Sequence, residues 1–372
     1  MNSAENFLHQ KLSERKENGL LRKLTYSSLP YDFCSNDYLG FARSSAIKDL
    51  IAEQMLLIGP FQNGSGGSRL LSGNHPYTEQ TESFIAQFHK AEAGLIFNSG
   101  YDANIGLISS LPQRGDTIIT DELIHASLID GARLSHADRY KFKHNDLNDL
   151  ESKLKLAKGI IYVVVESVYS MDGDLAPLRE INELCAKYQA HLIVDEAHAT
   201  GIFGNKGRGL VCQLELEDEV FARIVTFGKA IGTHGAIILG SKQLRTYLIN
   251  FARSFIYTTA APLHHIVAIN CAYQLLEKGS YELQIAQKIE LYNELAYGAT
   301  HPLHPFSAIQ TMPCLDHEHA KHAAAKLQQK GFDVKAILSP TVARGKERLR
   351  ICLHTFNTDE EIRTLVHHLK EL

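Results

Sequence analysis

From about residue 77 the chain alternates two hydrophobic rhythms. Short apolar runs recur at Leu95–Phe97, Thr117–Thr120, Tyr140–Phe142, Ile160–Val165, Leu192–Val194, Ile224–Phe227 and Ala236–Leu239. Several are continuously apolar and β-branched, without polar alternation, which is the pattern of strands buried on both faces of a parallel sheet. Segments of helical period, such as Asp146–Ala157 and Pro177–Gln189, lie between them. That alternation predicts an α/β unit around a mostly parallel sheet. Beyond about residue 275 the pattern changes. Helical stretches at Ser280–Tyr297 and Asp316–Gln329 are followed by strands at Phe332–Ile337 and Arg348–Leu353, then by a helix from about Thr358. This predicts a smaller α+β unit. The N-terminus reads as a short amphipathic helix with Phe7, Leu8 and Leu12 on one side, interrupted at Gly19 and followed by a polar stretch up to Tyr31. The expected division is a helical segment 1–34, a large α/β domain 35–275 and a small C-terminal α+β domain 276–372.

Composition narrows the function classes. The 372 residues, 44% apolar and 22% charged, suit a soluble globular protein of more than one domain, not a disordered or collagen-like chain. Thirty-eight basic against 42 acidic residues give a net charge of −4, so the basic excess of a nucleic-acid binder is missing. No apolar run approaches the roughly 20 residues of a membrane span. The charged N-terminus has no apolar core of the signal-peptide kind. The six cysteines, Cys34, Cys185, Cys212, Cys271, Cys314 and Cys352, are scattered without a C-x-x-C pair, as in reduced thiols of a cytosol. A cytoplasmic location is therefore expected. Nineteen histidines invite a metal or acid–base reading.

Four places carry candidate chemistry. Asn63-Gly64-Ser65-Gly66-Gly67-Ser68-Arg69 is glycine-rich but lacks the Lys-Ser or Lys-Thr of a P-loop, and also reads as a flexible loop. Asn98-Ser99-Gly100-Tyr101 joins a strand to a helical segment, which presents backbone N–H groups to an anion or simply caps a helix. Asp195-Glu196-Ala197-His198 closes a buried strand, where α/β sheets bind ligands. As a metal site it lacks a further ligand at a telling spacing. Thr226-Phe227-Gly228-Lys229 closes another strand, and a partly desolvated lysine there suits Schiff-base chemistry. A lysine, an acid for a pyridine nitrogen and a phosphate cradle are what pyridoxal phosphate (PLP) requires. His317, His319 and His322 crowd a helix start capped by Asp316, without the H-E-x-x-H spacing of a metal site.

Ordered motifs extend the picture over nearly the whole chain. They are Ser35-Asn36-Asp37-Tyr38-Leu39-Gly40, Gly66-Gly67-Ser68-Arg69, Ser72-Gly73-Asn74-His75, Asn98-Ser99-Gly100-Tyr101 and His125-Ala126-Ser127. Ser170-Met171-Asp172-Gly173-Asp174, Val194-Asp195-Glu196-Ala197-His198 and Thr226-Phe227-Gly228-Lys229 follow. Together they resemble the α-oxoamine synthases of the fold-type I PLP enzymes. The resemblance implies an aspartate-aminotransferase-like fold whose large domain binds PLP, and a homodimer with its active site at the subunit boundary.

It also implies roles. Lys229 would hold the cofactor and act as base at the substrate Cα. Asp195 would pair with the pyridine nitrogen, His125 would stack on the ring, and His198 and Ser170 would contact the ring 3′-oxygen. The backbone of Gly100 and Tyr101, with the Thr226 hydroxyl, would bind phosphate. Arg350 would grip the amino-acid carboxylate. Arg22 and Thr341 would contact the acyl substrate, and Asn36 and Thr259 would lie near the subunit boundary. Ser170–Leu178 and the compact N-terminus favour the member joining L-alanine to a pimeloyl thioester of coenzyme A or acyl-carrier protein. The glycine and acetyl-CoA member shares most of these motifs, and an aminotransferase is the alternative outside the family. Cys34 and His234 stand where the family commonly has small residues.

Overall fold

The computed structural model describes residues 2–24, 26–296 and 306–372. In chain order, β1 is Tyr31–Asp32, β2 Ala93–Phe97, β3 Thr117–Asp121, β4 Asp138–Phe142, β5 Ile161–Glu166 and β6 His191–Asp195. They are followed by β7 Ala222–Thr226, β8 Ala236–Gly240, β9 Ile309–Pro313, β10 Phe332–Asp333, β11 Lys335–Ile337 and β12 Arg348–Cys352. All seven apolar runs of the α/β region form strands of one sheet, in the order β2-β8-β7-β6-β5-β3-β4. Residues of β5 and β6 alternate between two apolar layers. Val163, Val165, Leu192 and Val194 face one cluster; Tyr162, Val164 and Ile193 face the other. Burial on both faces is why these runs show no polar alternation.

The β3–β4, β3–β5, β5–β6 and β6–β7 pairs are parallel. β8 is antiparallel to both neighbours, β7 and β2. It can be so because residues 227–235 return the chain directly from β7 without a crossover helix. That return carries Lys229 and places it at the carboxyl ends of the parallel strands.

The tail forms a second, three-stranded antiparallel sheet in the order β11-β12-β9. The single strand expected at Phe332–Ile337 is two. A tight turn at Val334, whose N–H donates to the Phe332 carbonyl, separates them. β10 pairs in parallel with β1, while β11 joins β12. Residues of the N-terminal segment thus complete the C-terminal one. The helix Leu263–Lys278 runs through the boundary expected at 275–276, because its buried face continues to Leu276. The helix expected at Ser280–Tyr297 is Tyr281–Ala296, and Tyr297 lies outside the described residues. The final helix, Asp359–Leu369, starts at a capping box formed by Thr358 and Glu361.

The N-terminal helix, Ser3–Glu17, has no buried residue. Its apolar side is open, with Phe7, Leu8 and Leu12 all exposed. Among the described residues no helix is long and apolar enough to cross a membrane. All six cysteines are free thiols.

Candidate active site

Strand ends on one rim of the large sheet supply the charged groups of a cleft of about 290 Å³. Asn36, Gly100, Tyr101, His125, Asp195, His198, Thr226 and Lys229 all line it. Glu166, Asp195 and Thr226 are the last residues of β5, β6 and β7. They share the face of Val164, Ile193 and Ile224 by the two-residue period of a strand.

Asp195 accepts hydrogen bonds at both carboxylate oxygens. Asn104 Nδ2 donates to Oδ2 and the Ala197 N–H to Oδ1, each at 2.9 Å. Asn104 Nδ2 also reaches Ser127 Oγ at 2.9 Å, and Ser127 Oγ lies 2.7 Å from His125 Nδ1. His125 caps the helix Ala126–Leu134 and is thereby tied to Asp195 through two intervening side chains.

Lys229 Nζ lies 2.8 Å from His198 Nε2. On the other side of that ring, Nδ1 lies 2.8 Å from the Tyr38 hydroxyl, which donates to Asn36 Oδ1 at 3.0 Å. Tyr38 has spent its proton, so His198 Nδ1 is the donor to it and Nε2 accepts from the lysine. Asn36 Oδ1 also accepts from Arg350 Nη2 at 3.0 Å. A continuous hydrogen-bonded chain therefore runs from Lys229 to Arg350.

Burial distorts the acid–base properties of this group. Desolvation holds the Lys229 amine below the usual lysine range, against the opposing pull of Asp195 and Glu166. Desolvation, reinforced by the charges of Lys229 and Arg350, keeps His198 neutral well below its ordinary range. Glu166 is pushed up by burial and by the neighbouring charge of Asp195, toward a neutral carboxyl. Perturbed groups converging in a cleft at strand ends are a functional arrangement.

Two features fit a phosphate-bearing cofactor of the PLP type. Thr226 Oγ1 is buried and has no hydrogen-bond partner. The Thr226 side chain lies beside the N-terminus of the helix Gly100–Ser110, where Ser99 caps by accepting from the Asp102 N–H. At Gly100 a side chain would bring a Cβ to 2.7 Å from Thr226 Cγ2, so glycine keeps this anion cradle open. With a lysine amine and a doubly hydrogen-bonded aspartate in the same cleft, the residues present match the group.

The other expected residues lie around the cleft. Ser170 and Arg350 meet it through Glu166 and Asn36. The Ser170 N–H donates to Glu166 Oε2 at 3.2 Å, and its carbonyl accepts from Arg350 Nε at 2.8 Å. Thr259 borders an adjoining cavity of about 190 Å³ that shares His234 and Gly235 with the cleft. Arg22 and Thr341 meet each other, Nη2 to Oγ1 at 3.5 Å, outside the cleft lining. His317 pairs with Glu347 at 2.9 Å, and His319 Nδ1 accepts from the Leu315 N–H, so both serve the local helix start.

Sequence reasoning left Glu166, Asn104, Ser127 and Tyr38 without roles. Glu166 carried a readable signal, an acid ending a wholly apolar strand. It is the register partner of Asp195. Asn104 had none, because a polar residue within a helix is usually solvated.

Residues 30–369 match the family described as aminotransferase class I and II. An 8-amino-7-oxononanoate synthase of Emericella nidulans is 43% identical, over 95% of this chain and 92% of its own length. The solved 8-amino-7-oxononanoate synthase of Francisella tularensis is 28% identical, with a TM-score of 0.79, over 92% of this chain and 97% of that one. Serine palmitoyltransferase of Sphingomonas wittichii is 25% identical, with a TM-score of 0.89, over 99% and 97%. The fold, the strand-end cleft and these similarities agree, and the chain belongs to the aminotransferase class I and II family, within its α-oxoamine synthase group of 8-amino-7-oxononanoate synthases.

Proposed function

We propose that this chain is a PLP-dependent acyltransferase that joins L-alanine to a pimeloyl thioester, giving 8-amino-7-oxononanoate, CO2 and the free thiol. This is the biotin-biosynthesis step of its relatives. The observation that carries the proposal is the meeting of Lys229, Asp195, His125 and His198 in one cleft beside an unpartnered Thr226 hydroxyl and an open helix N-terminus.

Gly100, Tyr101 and Thr226 would hold the cofactor phosphate, Asp195 its ring nitrogen and His125 its ring face. His198 and Ser170 would contact the ring 3′-oxygen, and Lys229 would hold the cofactor covalently until the nitrogen of the incoming amino acid takes its place and frees the amine. Bound PLP supplies an electron sink that makes bonds at an amino-acid Cα breakable. Arg350 binds the alanine carboxylate, for which its planar fork is suited, and so sets which Cα bond is presented. Lys229 takes the proton from Cα, a task favoured by a desolvated amine with a lowered proton affinity. His198, kept neutral, accepts a hydrogen bond from that amine and holds it in place. Cα forms its new bond to the thioester carbonyl carbon as the C–S bond breaks, and the departing thiolate takes its proton from water. The carboxylate departs as CO2, and Lys229 returns a proton to Cα.

Arg22 and Thr341, which already meet, would contact the acyl donor. A cytoplasmic homodimer with Asn36 and Thr259 near its boundary completes the proposal. It is supported by apolar side chains left open on the single chain, among them Leu56, Leu57, Leu70 and Leu71. Neither nucleic acid nor membrane enters the reaction.

Purified protein supplied with alanine and pimeloyl-CoA should yield 8-amino-7-oxononanoate by mass spectrometry. Product from glycine and acetyl-CoA instead would move the chain to the glycine-using branch. Amino transfer with an amino donor alone would overturn the proposal.

A further inference from the structure

Away from the cleft lining, one imidazole stands between two carboxylates. His144 follows β4. Its Nδ1 lies 3.1 and 3.2 Å from the two oxygens of Asp121, at the end of β3, and its Nε2 lies 2.7 Å from Asp174 Oδ2. Carboxylate oxygens at both ring nitrogens call for a proton on each, so the ring is a cation.

The surrounding groups agree. Asp121 is fully buried and also accepts from the N–H groups of Leu123 and Asn145. Glu122 accepts from the His144 N–H at 3.1 Å. Tyr169 meets the ring edge-on at 4.4 Å between centroids. Burial opposes the charge, yet the hydrogen bonds to Asp121 and Asp174 prevail and raise the imidazole pKa to about 9.

Asp174 belongs to the tight turn after β5. The Gly173 N–H donates to the Tyr169 carbonyl at 2.8 Å, and the Tyr169 N–H to the Asp174 carbonyl at 3.0 Å. The opposite side of this turn meets the small sheet. Asp172 pairs with Arg348 of β12, and the Ser170 carbonyl accepts from Arg350 Nε at 2.8 Å. Gly173, at φ +77°, allows the approach, since any side chain there would collide with the Ile309 carbonyl of β9. The turn is a strut between two sheets, with His144 at one end and Arg350 at the other.

We propose that His144 is a positioning residue for amino-acid recognition. As a bridge between Asp121 and Asp174 it fastens the 170–174 turn to the large sheet, and the turn aims the Arg350 guanidinium. The proposal rests on Arg350 being the carboxylate-binding residue. Loss of the bridge leaves two carboxylates facing each other without a cation and loosens the turn, which then keeps at this end the neutral donor Asn145 Nδ2, 3.0 Å from Asp174 Oδ2 and 3.1 Å from the Leu175 carbonyl. Carboxylate binding is then weakened, while Asp195, Asn104, Ser127 and His125, which are hydrogen-bonded to one another and not to the turn, keep their places.

The test uses the full-length, PLP-loaded protein and the variants His144→Gln and Asp174→Asn. The dissociation constants of alanine, glycine and serine are read from the change each causes in cofactor absorbance, and turnover is measured separately. Both variants should retain the cofactor spectrum and bind the amino acid about tenfold or more weakly, with kcat and thioester KM changed less than about threefold. Unchanged amino-acid affinity in either folded variant, or loss confined to kcat, would overturn the proposal. Asp174→Asn keeps the histidine and guards against a variant that fails to fold. Nitrogen-15 NMR of His144 should show both ring nitrogens protonated at neutral pH and release of a proton near pH 9. A neutral ring at neutral pH would equally overturn it. If the wild type binds amino acids but makes no product with pimeloyl-CoA, the acyl donor is wrong and the bridge is still decided by affinity and NMR.

Discussion

Asp195 and Glu196 are adjacent acids, both buried, and they face opposite sides of the large sheet. Asp195 points toward the cleft, where Asn104 and the Ala197 N–H hold it beside Lys229. Glu196 points into the other layer. The Val211 N–H donates to its Oε1 at 2.9 Å, and Arg223 lies 3.9 Å from Oε2. Arg223 is itself committed to the His89 carbonyl at 2.6 Å and to Cys212 Sγ at 3.1 Å. One acid serves an open cleft beside Lys229; the other is enclosed in the core, its Oε2 without a hydrogen bond and facing the Arg223 charge. Local sequence does not separate them, because chemistry depends on what a side chain faces.

Substitutions should separate activity from stability along that divide. The largest effect is expected for Lys229→Ala. Product formation should fall by roughly a thousandfold or more, with an unchanged or higher thermal midpoint, since a buried amine is removed. Asp195→Asn keeps the shape and loses the charge. It should cost about a hundredfold or more in kcat while unfolding in urea moves little. A stable, fully active Asp195→Asn would break the comparison.

Glu196→Ala should do the reverse. Removing one partner of a buried ion pair costs about 3 kcal/mol of unfolding free energy, while kcat per folded molecule stays within about threefold. The smallest effect concerns pH. Burial raises the Glu196 carboxyl to about 6, above its ordinary 4.5. The native state then holds more protons than the unfolded state between those values. Stability contributed by this group is present below pH 4.5 and lost as pH rises through 6, by roughly 2 kcal/mol. Denaturant titrations of wild type and Glu196→Gln across that window should show the slope only in the wild type.

Much of the fold was legible. Seven apolar runs became seven strands because burial on both faces leaves a signal that needs no partner to be read. Val334 was missed because a turn inside an apolar run changes pairing without changing polarity. Of the site, Lys229, Asp195 and His198 were legible through residue type and position at strand ends, and His125 only through the family resemblance. Tyr38 and Asn104 were not, since each matters only through a side chain far away in the chain.

What the residues dictate alone is periodicity: which segments bury one face or two, where helices are capped, and which charged groups stand at strand ends. That information is local, set by side-chain spacing and backbone preference. What required the folded chain is pairing across distance. Arg350 meets Asn36 and Arg22 meets Thr341 only after β10 has paired with β1 and the Cys352 N–H of β12 has reached the Phe33 carbonyl. Whether the face of Asp195 or that of Glu196 looks into the cleft was likewise settled by layers packing on the sheet, since strand alternation assigns opposite faces but does not say which one is covered.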